Sequence, residues 1–235
     1  GNIALTKVDK DYPDNKLSGA VFEVYSDING DGKLDKDDTL LGEMKELDGG
    51  VYQMSELRYG KYLVKETKAP TGFVLDENVY AVSVEENGKT YTVENKAGVG
   101  FINAAQKGSL KIVKTSSDGK VEGFSFRVTG VDYDQTFKTD KNGEIVIEGL
   151  RIGDYTVSEV SDKASAGYIL PADKQATVKA DATAIVQMHN EFRDTPKTGD
   201  DFNLGLWVSL AALSVVGAGV LGFVGYKNRK KKKED

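Results

Sequence analysis

Three segments place a lysine, a glutamate or an asparagine where the strand pattern predicts an apolar residue. In "IALTK", Ile3, Leu5 and Lys7 have the same parity, so a β-strand puts all three on one face. The same register places Glu66 at the end of "YLVKE" and Asn103 at the end of "VGFIN". Each strand therefore carries one polar group onto an otherwise apolar face.

The pattern then occurs a second time along the chain. "LKIVK" ends on Lys114, "YTVSE" on Glu159 and "VQMHN" on Asn190, each two residues after an apolar residue. The lysine-to-glutamate spacing is longer in the first copy, and the acidic segment 27–38 accounts for the excess. Because the repeating unit is too long for a solenoid, the pattern indicates two tandem domains.

A buried lysine, glutamate and asparagine can form an intramolecular amide bond. Burial lowers the pKa of a lysine and frees its lone pair, and it raises the pKa of a glutamic acid. The amine can attack the asparagine carboxamide carbon and release ammonia, while the acid donates to the carboxamide oxygen and carries protons between the two nitrogens. The alternative is a buried salt bridge beside an amide, which is costly to desolvate. Parity alone leaves both alternatives open.

The segments around these residues resemble the Cna B-type (SpaA-type) domains of Gram-positive surface proteins. "YLVKETKAPTGF" (62–73) is similar to the E-box of that family, and "LTKVDK", "LSGAVFEVY" and "FINAAQKG" fall where the family has its lysine, Gly-Ala-x-Phe and asparagine strands. The resemblance covers residues 1–107 and, more loosely, 108–193. It implies an all-β fold of two tandem transthyretin-like or Ig-like β-sandwiches, each of about seven strands.

The resemblance also assigns roles to the two trios. It implies a Lys7–Asn103 bond promoted by Glu66. In the second copy, "YTVSEVSDKASAGY" lacks the Thr and Pro of the first E-box. There the resemblance implies a second bond, whose residues are Lys114, Asn190 and the promoting Glu159.

Two other residues bear on the sites. Asn95 in "YTVENKAG" is a rival acceptor in the first copy, but it lacks the Val-x-Phe-x-Asn context. His189 is the sole histidine and has the opposite parity from Asn190, so we expect it to face outward. With one histidine and no cysteine, the chain is a poor candidate for a Ser-His-Asp or zinc enzyme, and disulfides are excluded.

The segment "DINGDGKLDKDD" (27–38) matches the twelve-residue template of a calcium loop. Gly32 occupies the turn position and Leu34 the apolar position. The flanks do not form a helix pair, so a structural Ca²⁺ is expected rather than a regulatory one; the alternative is a solvated Asp/Asn/Gly hairpin. The predicted ligands are Asp27, Asn29, Asp31, Lys33 (through its backbone carbonyl), Asp35 and Asp38.

The C-terminal end predicts covalent attachment to a cell surface. Residues 202–226 contain no charge, and as a helix they would span about 37 Å, enough to cross a hydrocarbon core of about 30 Å. The basic tail 227–235 is expected to stay cytoplasmic, which places residues 1–201 outside. "TPKTG" in segment 194–201 resembles the LPxTG sorting signal, in which a sortase breaks the threonine–glycine bond. The residues of this motif are Thr195, Pro196, Lys197, Thr198 and Gly199.

Together these features predict the C-terminal piece of a wall-anchored stalk, pilin or adhesin that has no enzymatic turnover. The expected partners are a sortase, peptidoglycan or another pilin subunit, and the membrane before sorting, with a host ligand unidentified. The net charge of −6, with basic residues concentrated in the tail, argues against nucleic acid. The alternative is a spacer and anchor for a surface enzyme whose catalytic domain precedes Gly1.

Overall fold

The computed structural model describes residues 1–193, and every regular element among them is a β-strand. None of these residues forms a helix long and apolar enough to cross a membrane. The predicted sorting motif 194–201, transmembrane helix 202–226 and basic tail 227–235 lie outside the described residues.

The first nine strands form one β-sandwich, here called the first sandwich. Its two sheets have the orders β4-β5-β1-β8, with β9 also pairing with β1, and β3-β2-β6-β7. The strands are β1 (Asn2–Asp9), β2 (Val21–Ser26), β3 (Thr39–Glu43), β4 (Lys45–Asp48), β5 (Val51–Met54), β6 (Gly60–Lys68), β7 (Val79–Val84), β8 (Thr90–Thr92) and β9 (Phe101–Asn103).

The remaining eight strands form the second sandwich. Its sheets have the orders β13-β10-β17-β15 and β12-β11-β14-β16. The strands are β10 (Lys107–Ser116), β11 (Ser125–Gly130), β12 (Tyr133–Lys138), β13 (Glu144–Arg151), β14 (Gly153–Glu159), β15 (Tyr168–Ile169), β16 (Lys174–Val178) and β17 (Thr183–Phe192).

The strand counts exceed the expected seven because some strands are short or interrupted. In the second sandwich β17 runs unbroken along β10. In the first sandwich the equivalent path is split into β8 and β9, which pair with the two ends of β1. The intervening residues 93–100 leave the sheet.

Each sandwich has its own apolar core, built from the alternating residues that identified the strands. The first core includes Ile3, Leu5, Phe22, Tyr52 and Phe101. The second includes Leu110, Ile112, Phe126, Tyr155 and Met188. Two separate cores mean that each sandwich can bury its own apolar surface.

In both sandwiches the first strand pairs in parallel with the last. Lys7 lies opposite Phe101 and Asp9 opposite Asn103 in the β1–β9 pair. In the β10–β17 pair, Ser116 lies opposite Asn190. Parallel pairing brings the lysine of the first strand near the asparagine of the last, although they are far apart in sequence.

The acidic segment 27–38 connects β2 to β3, where Ser26 pairs with Thr39. The equivalent strands of the second sandwich, β11 and β12, are joined by a tight turn between Gly130 and Tyr133. The segment is therefore an extra loop on a hairpin that both sandwiches share.

An ion-pair cluster joins the two sandwiches. Arg151 donates to both carboxylate oxygens of Asp9, at 2.6 and 3.0 Å, and its guanidinium lies 4.9 Å from the Tyr12 ring centroid. Asp11 accepts from Arg151 at 3.3 Å and pairs with Lys107 at 3.1 Å. Burial alone would raise the pKa of Asp9, but the hydrogen bonds from Arg151 and the nearby backbone hold it below its usual range.

Candidate functional site

The structure brings together the first predicted trio in the core of the first sandwich. Lys7 and Glu66 are fully buried and Asn103 is 3% exposed. The Lys7 amine contacts the Asn103 side-chain oxygen and lies 3.3 Å from a Glu66 oxygen. The Asn103 amide nitrogen donates to both Glu66 oxygens at 3.0 Å. A single carboxyl group therefore lies beside both nitrogens that an amide-forming reaction would involve.

Aromatic rings hold the Lys7 amine beside the asparagine strand. The amine lies 4.6 Å from the ring centroid of Phe101, two residues before Asn103, and 5.9 Å from that of Phe22. Desolvation lowers the pKa of Lys7 to about 8, against the opposing effect of Glu66. At pH 7 about a tenth of such lysines are neutral and therefore nucleophilic.

The orientation of the amide differs from one sequence expectation. The carboxamide oxygen, expected to accept from the glutamic acid, faces Lys7, and the amide nitrogen faces Glu66. In this orientation Glu66 is placed to carry protons between nitrogens rather than to polarise the oxygen. Its Oε2 also accepts from the backbone N–H of Asp76 at 2.8 Å, which fixes the carboxyl from the E-box side.

The second trio is differently arranged: Lys114 and Asn190 are buried, and Glu159 is partly buried. Asn190 donates to Glu159 Oε1 at 2.6 Å. The Lys114 amine donates instead to the carbonyl of Thr115, at 2.5 Å. The other Glu159 oxygen and the Asn190 side-chain oxygen are buried without a hydrogen-bond partner among the described residues. Unpaired buried acceptors of this kind cost about 1–3 kcal/mol each.

The aromatic residue beneath the lysine explains this difference. The Lys114 amine lies 4.2 Å from the ring centroid of Phe124, on the segment leading into β11. By the alignment of "LSGAVF" with "VEGFSF", Phe124 replaces Ala20 of the first sandwich. The register also puts Met188 where the first sandwich has Phe101. The ring that attracts the lysine amine therefore lies on the asparagine strand in the first sandwich and on the segment before β11 in the second.

The titration behaviour of the second trio is consistent with its burial. Desolvation lowers the pKa of Lys114, partly offset by Glu159 and Asp118. Desolvation also raises the pKa of Glu159, although its bond from Asn190 and the charge of Lys114 act in the opposite direction. A neutral amine and a protonated acid are the forms that amide formation requires.

The rival acceptor Asn95 lies in the 93–100 excursion, where other bonds occupy its amide. Its nitrogen donates to Asp76 at 2.8 Å and to the Ile102 carbonyl at 2.9 Å, and its oxygen accepts from the Ile102 N–H. Asn95 thus braces the excursion between β8 and β9.

His189 faces outward, as its parity predicted. It is exposed, with one ring nitrogen 2.8 Å from the Thr115 hydroxyl and the other 3.0 Å from Glu191. The three side chains lie side by side on the outer surface of the β10–β17 pair.

In the 27–38 loop, the predicted ligand side chains bind the loop backbone. Asp27 accepts from the N–H groups of Gly30 and Gly32 at 2.7 and 3.1 Å, and Asp38 accepts from those of Ile28 and Asp35 at 3.1 and 2.9 Å. Within residues 1–193 no three acidic or histidine side chains are close enough to share a metal ion.

The other predicted ligands follow the same local pattern. Asn29 accepts from Asp31, and Asp31 from Lys33, both at 2.9 Å. The Asn29 amide donates to Asp35 at 3.0 Å. The loop therefore has the donor set of a calcium site, with its oxygens directed to N–H groups.

Sequence reasoning missed three contributors to these sites. The Asp76 N–H that fixes Glu66 and the Phe124 ring beneath Lys114 depend on loop conformation, which parity does not report. The Arg151–Asp9 contact joins residues 142 apart in sequence. A signal was present for Arg151, since "LRYG" (57–60) recurs as "LRIG" (150–153).

Comparison with known families supports the assignment of both sandwiches. The family model described as SpaA, a prealbumin-like fold domain, matches residues 1–97 and again 108–192. The chain belongs to the SpaA prealbumin-like domain family. The resemblance noted in the sequence is therefore confirmed, and the protein has two tandem SpaA-type domains.

The chain is also similar to solved structures. The Bacillus anthracis TIE protein is 25% identical with a TM-score of 0.61, over 82% of this chain and 34% of that protein. The minor pilin GBS52 of Streptococcus agalactiae is 16% identical with a TM-score of 0.37, covering 85% of this chain and 99% of that one. This chain thus spans about a third of the TIE protein's length. No curated protein sequence matches the chain.

Proposed function

We propose that this SpaA-type chain is part of a stalk or pilin-like shaft on a Gram-positive cell surface, closed in each domain by a Lys–Asn isopeptide bond. The observation that carries the proposal is the fully buried contact of Lys7, Glu66 and Asn103 between the first and last strands. A salt bridge alone would not explain why the lysine amine contacts the amide rather than only the carboxylate.

The reaction in the first domain follows from the positions of the three groups. The neutral Lys7 amine attacks the Asn103 side-chain carbon, and a C–N bond forms. The attacking nitrogen loses a proton to the Glu66 carboxyl, 3.3 Å away, and Glu66 passes a proton to the departing amide nitrogen, 3.0 Å away. The original C–N bond breaks and ammonia leaves. Packing supplies the proximity that such reactions need.

The second domain requires one additional movement. The Lys114 amine must leave the Thr115 carbonyl and reach Asn190, whose oxygen lacks a partner among the described residues. The unpaired acceptors of Asn190 and Glu159 favour that movement, and the Phe124 ring opposes it. The bond in the second domain therefore forms more slowly than that in the first.

The bonds would carry mechanical load. Lys7 lies near the end of the first strand and Asn103 ends the last, so force applied to the two ends of the domain passes through the side-chain amide. The bond takes the place of a disulfide in a chain without cysteine. It forms once per molecule, so the domain is structural rather than an enzyme.

Attachment to the cell surface would use the motif at 195–199. A sortase would form an acyl-enzyme at Thr198, release Gly199 and transfer the chain to an amine of peptidoglycan or of another pilin subunit. The uncharged span 202–226 would hold the chain in the membrane until that transfer, leaving the SpaA-type domains extracellular.

The loop 27–38 would bind Ca²⁺ with modest affinity. The donors are those that calcium prefers, but its binding must displace N–H bonds now made by Asp27 and Asp38. The ion would replace these bonds with one shared centre and stiffen the β2–β3 connection. Extracellular calcium modules function at about 10⁻⁴–10⁻³ M.

Intact mass of residues 1–193 tests the proposal directly. Both bonds together make the folded chain two ammonia molecules lighter than its sequence, and the first bond alone makes it one lighter. Peptide mapping should then recover Lys7 joined to Asn103. A full-mass chain that has folded would refute the isopeptide function.

The same two domains would also serve as a spacer below an enzyme encoded upstream. A catalytic domain before Gly1 would favour that function, whereas further SpaA-type domains would favour the shaft. The isopeptide and sorting chemistry is common to both.

A further inference from the structure

The two domains repeat the structure that bears the interdomain arginine. "LRYGKYLVKE" (57–66) aligns with "LRIGDYTVSE" (150–159), which makes Arg58 the counterpart of Arg151. The Tyr62 hydroxyl donates to the Arg58 carbonyl at 2.8 Å, and the Tyr155 hydroxyl donates to the Arg151 carbonyl at 2.8 Å. The local fold around the two arginines is therefore the same.

The neighbouring backbone also matches. Gly1 and Leu57 exchange hydrogen bonds at 2.7 and 2.9 Å, and their counterparts Gly108 and Leu150 are register partners in the second domain. The first strand of each domain therefore begins next to the arginine of that domain. A residue placed before Gly1 would lie beside Arg58, as Lys107 lies opposite Arg151.

The two arginines differ in what covers them. Arg151 pairs with Asp9 and Asp11, and Ile152 donates its N–H to the Gln106 carbonyl at 3.1 Å. Within residues 1–193, the Arg58 side chain makes no ion pair or hydrogen bond. Tyr59, the counterpart of Ile152, is 68% exposed, more than any other large apolar or aromatic residue described.

The open volume beside Arg58 is also larger than the open volume beside Arg151. A hollow of 480 Å³ lies against Arg58 and is lined also by Gly1, Glu56, Leu57, Tyr59 and Asn87. The cavity beside Arg151, between the two domains, measures 110 Å³. The Arg58 surface thus resembles one side of the domain junction and is uncovered within residues 1–193.

We propose that the surface formed by Leu57, Arg58 and Tyr59 docks the acidic end of another SpaA-type domain placed directly before Gly1. Its partner carries an aspartate two residues after its bond-forming lysine, as Asp9 follows Lys7. Arg58 forms a bidentate pair with that aspartate, and Tyr59 packs on the partner's E-box loop as Ile152 packs near Gly72.

A second copy of this chain, docked end to end, fits the surface less well. The register equates Asp9, opposite Asn103, with Ser116, opposite Asn190. The Ser116 hydroxyl oxygen already lies within hydrogen-bond distance of an Asp118 oxygen and of the Lys120 carbonyl oxygen, at 2.7 and 2.6 Å. The end of the second domain therefore offers Arg58 no counterpart of Asp9, and Asp118, the counterpart of Asp11, already accepts from the Ser116 and Tyr168 hydroxyls at 2.7 Å.

A three-domain chimera tests the proposal. A copy of residues 1–107 is joined directly to Gly1 of residues 1–193, which form a compact unit with both cores. The new junction then has the acidic end of the copy facing Arg58. We expect the two junctions to resist limited proteolysis equally, and Arg58→Gln to speed cleavage of the new junction about tenfold.

Three controls fix the interpretation. Arg151→Gln should speed cleavage only at the native junction, and Asp9→Asn in the appended copy should match Arg58→Gln without adding to it. Lys45→Gln, an exposed charge change elsewhere, should alter neither. Unchanged cleavage of the new junction in Arg58→Gln, when Arg151→Gln loosens its own, would overturn the proposal. So would Arg58-dependent dimerisation of residues 1–193 in sedimentation, because the occupant would then be a second copy.

Discussion

The two SpaA-type domains place the same three residues on the same strands and yet direct the lysine amine differently. In the first domain the amine contacts Asn103 above the Phe101 ring. In the second it lies over Phe124 and donates to a backbone carbonyl. Burial of a lysine, a glutamate and an asparagine is therefore not sufficient to bring the lysine amine into contact with the asparagine. The position of the nearby aromatic rings also determines where a desolvated amine lies.

The glutamates differ as well. Glu66 is fully buried and accepts from the Asp76 N–H, supplied by the loop that follows the E-box. In the second domain, Asp162 in the loop after Glu159 accepts from the Ser125 hydroxyl of β11 at 2.6 Å and from the backbone N–H groups of Ala164 and Ser165. Within residues 1–193 no group of this loop donates a hydrogen bond to the second oxygen of Glu159. Glu159 is also partly exposed, whereas Glu66 is fully buried. The missing Thr and Pro of the second E-box thus coincide with a less constrained acid.

The largest effect should come from removing the acid of the first domain. Glu66→Gln should leave Lys7 and Asn103 unlinked, so the chain should retain, relative to the mass of its own sequence, the ammonia that the parent loses from this pair. Residues 7 and 103 are 96 apart, and losing a crosslink of that span lowers the unfolding free energy by about 4–5 kcal/mol. Intact mass and calorimetry check both outcomes.

The matched variant Glu159→Gln should change only the second domain. Asn103→Ala should reproduce the mass result of Glu66→Gln without altering the carboxyl. A Glu66→Gln chain that still loses the ammonia assigned to Lys7–Asn103 would remove Glu66 from the mechanism.

The next largest effect should come from exchanging the rings. Phe124→Leu with Met188→Phe moves the aromatic ring in the second domain from beneath β11 to the asparagine strand. A cation–π contact of about 1–2 kcal/mol predicts roughly tenfold faster formation of the second bond. Time-resolved mass spectrometry of refolding, never-folded chains measures the rate. Phe126→Leu is the control, and equal acceleration there would indicate general loosening.

The pH dependence should differ in a defined direction. Because the pKa of Lys7 is about 8, formation of the first bond should slow about tenfold per pH unit below 8 and level off above it. The same refolding assay at several pH values measures this. A rate independent of pH between 6 and about 8 would contradict a neutral-amine nucleophile.

The stability of a variant without the Lys7–Asn103 bond should change with pH in a defined direction. The folded pKa of Lys7, about 8, lies below the ordinary lysine pKa of 10.5, so the unfolded chain binds more protons between those values. Asn103→Ala should therefore gain stability as pH rises from about 8 to about 10.5 and lose it as pH falls through that window. Denaturant titrations at fixed pH values measure this slope, and a stability that does not change between about pH 8 and about 10.5 would show that Lys7 stays charged in the folded state.

The smallest effect should come from the loop found only in the first domain. Replacing residues 27–38 by the tight turn of the second domain should leave the first bond intact by mass. In the parent chain, calcium at one to ten times its dissociation constant should add about 0.4–1.4 kcal/mol. Melting with and without a chelator measures that difference, and a loss confined to the parent chain assigns it to the loop.

Sequence parity predicted the trios because the side-chain period of a strand is independent of tertiary detail. It located Lys7, Glu66 and Asn103 on buried faces and His189 on an exposed one. It could not predict which way the Asn103 amide turns, or that Lys114 rests over Phe124, because both depend on packing between strands distant in sequence. Val99 shared the parity of Phe101 but lies outside β9 and is 37% exposed, since the chain leaves the sheet before Gly100.

The parallel pairing of first and last strands fixes how much chain a pulled domain can release. With Lys7 joined to Asn103, the residues between them lie beside the loaded path. At about 3.4 Å per extended residue, roughly 300 Å of chain between these two residues would stay folded in the first domain alone. If the chain serves as the proposed stalk, its length would stay nearly constant under shear flow, and the distance between the cell and its support would be fixed.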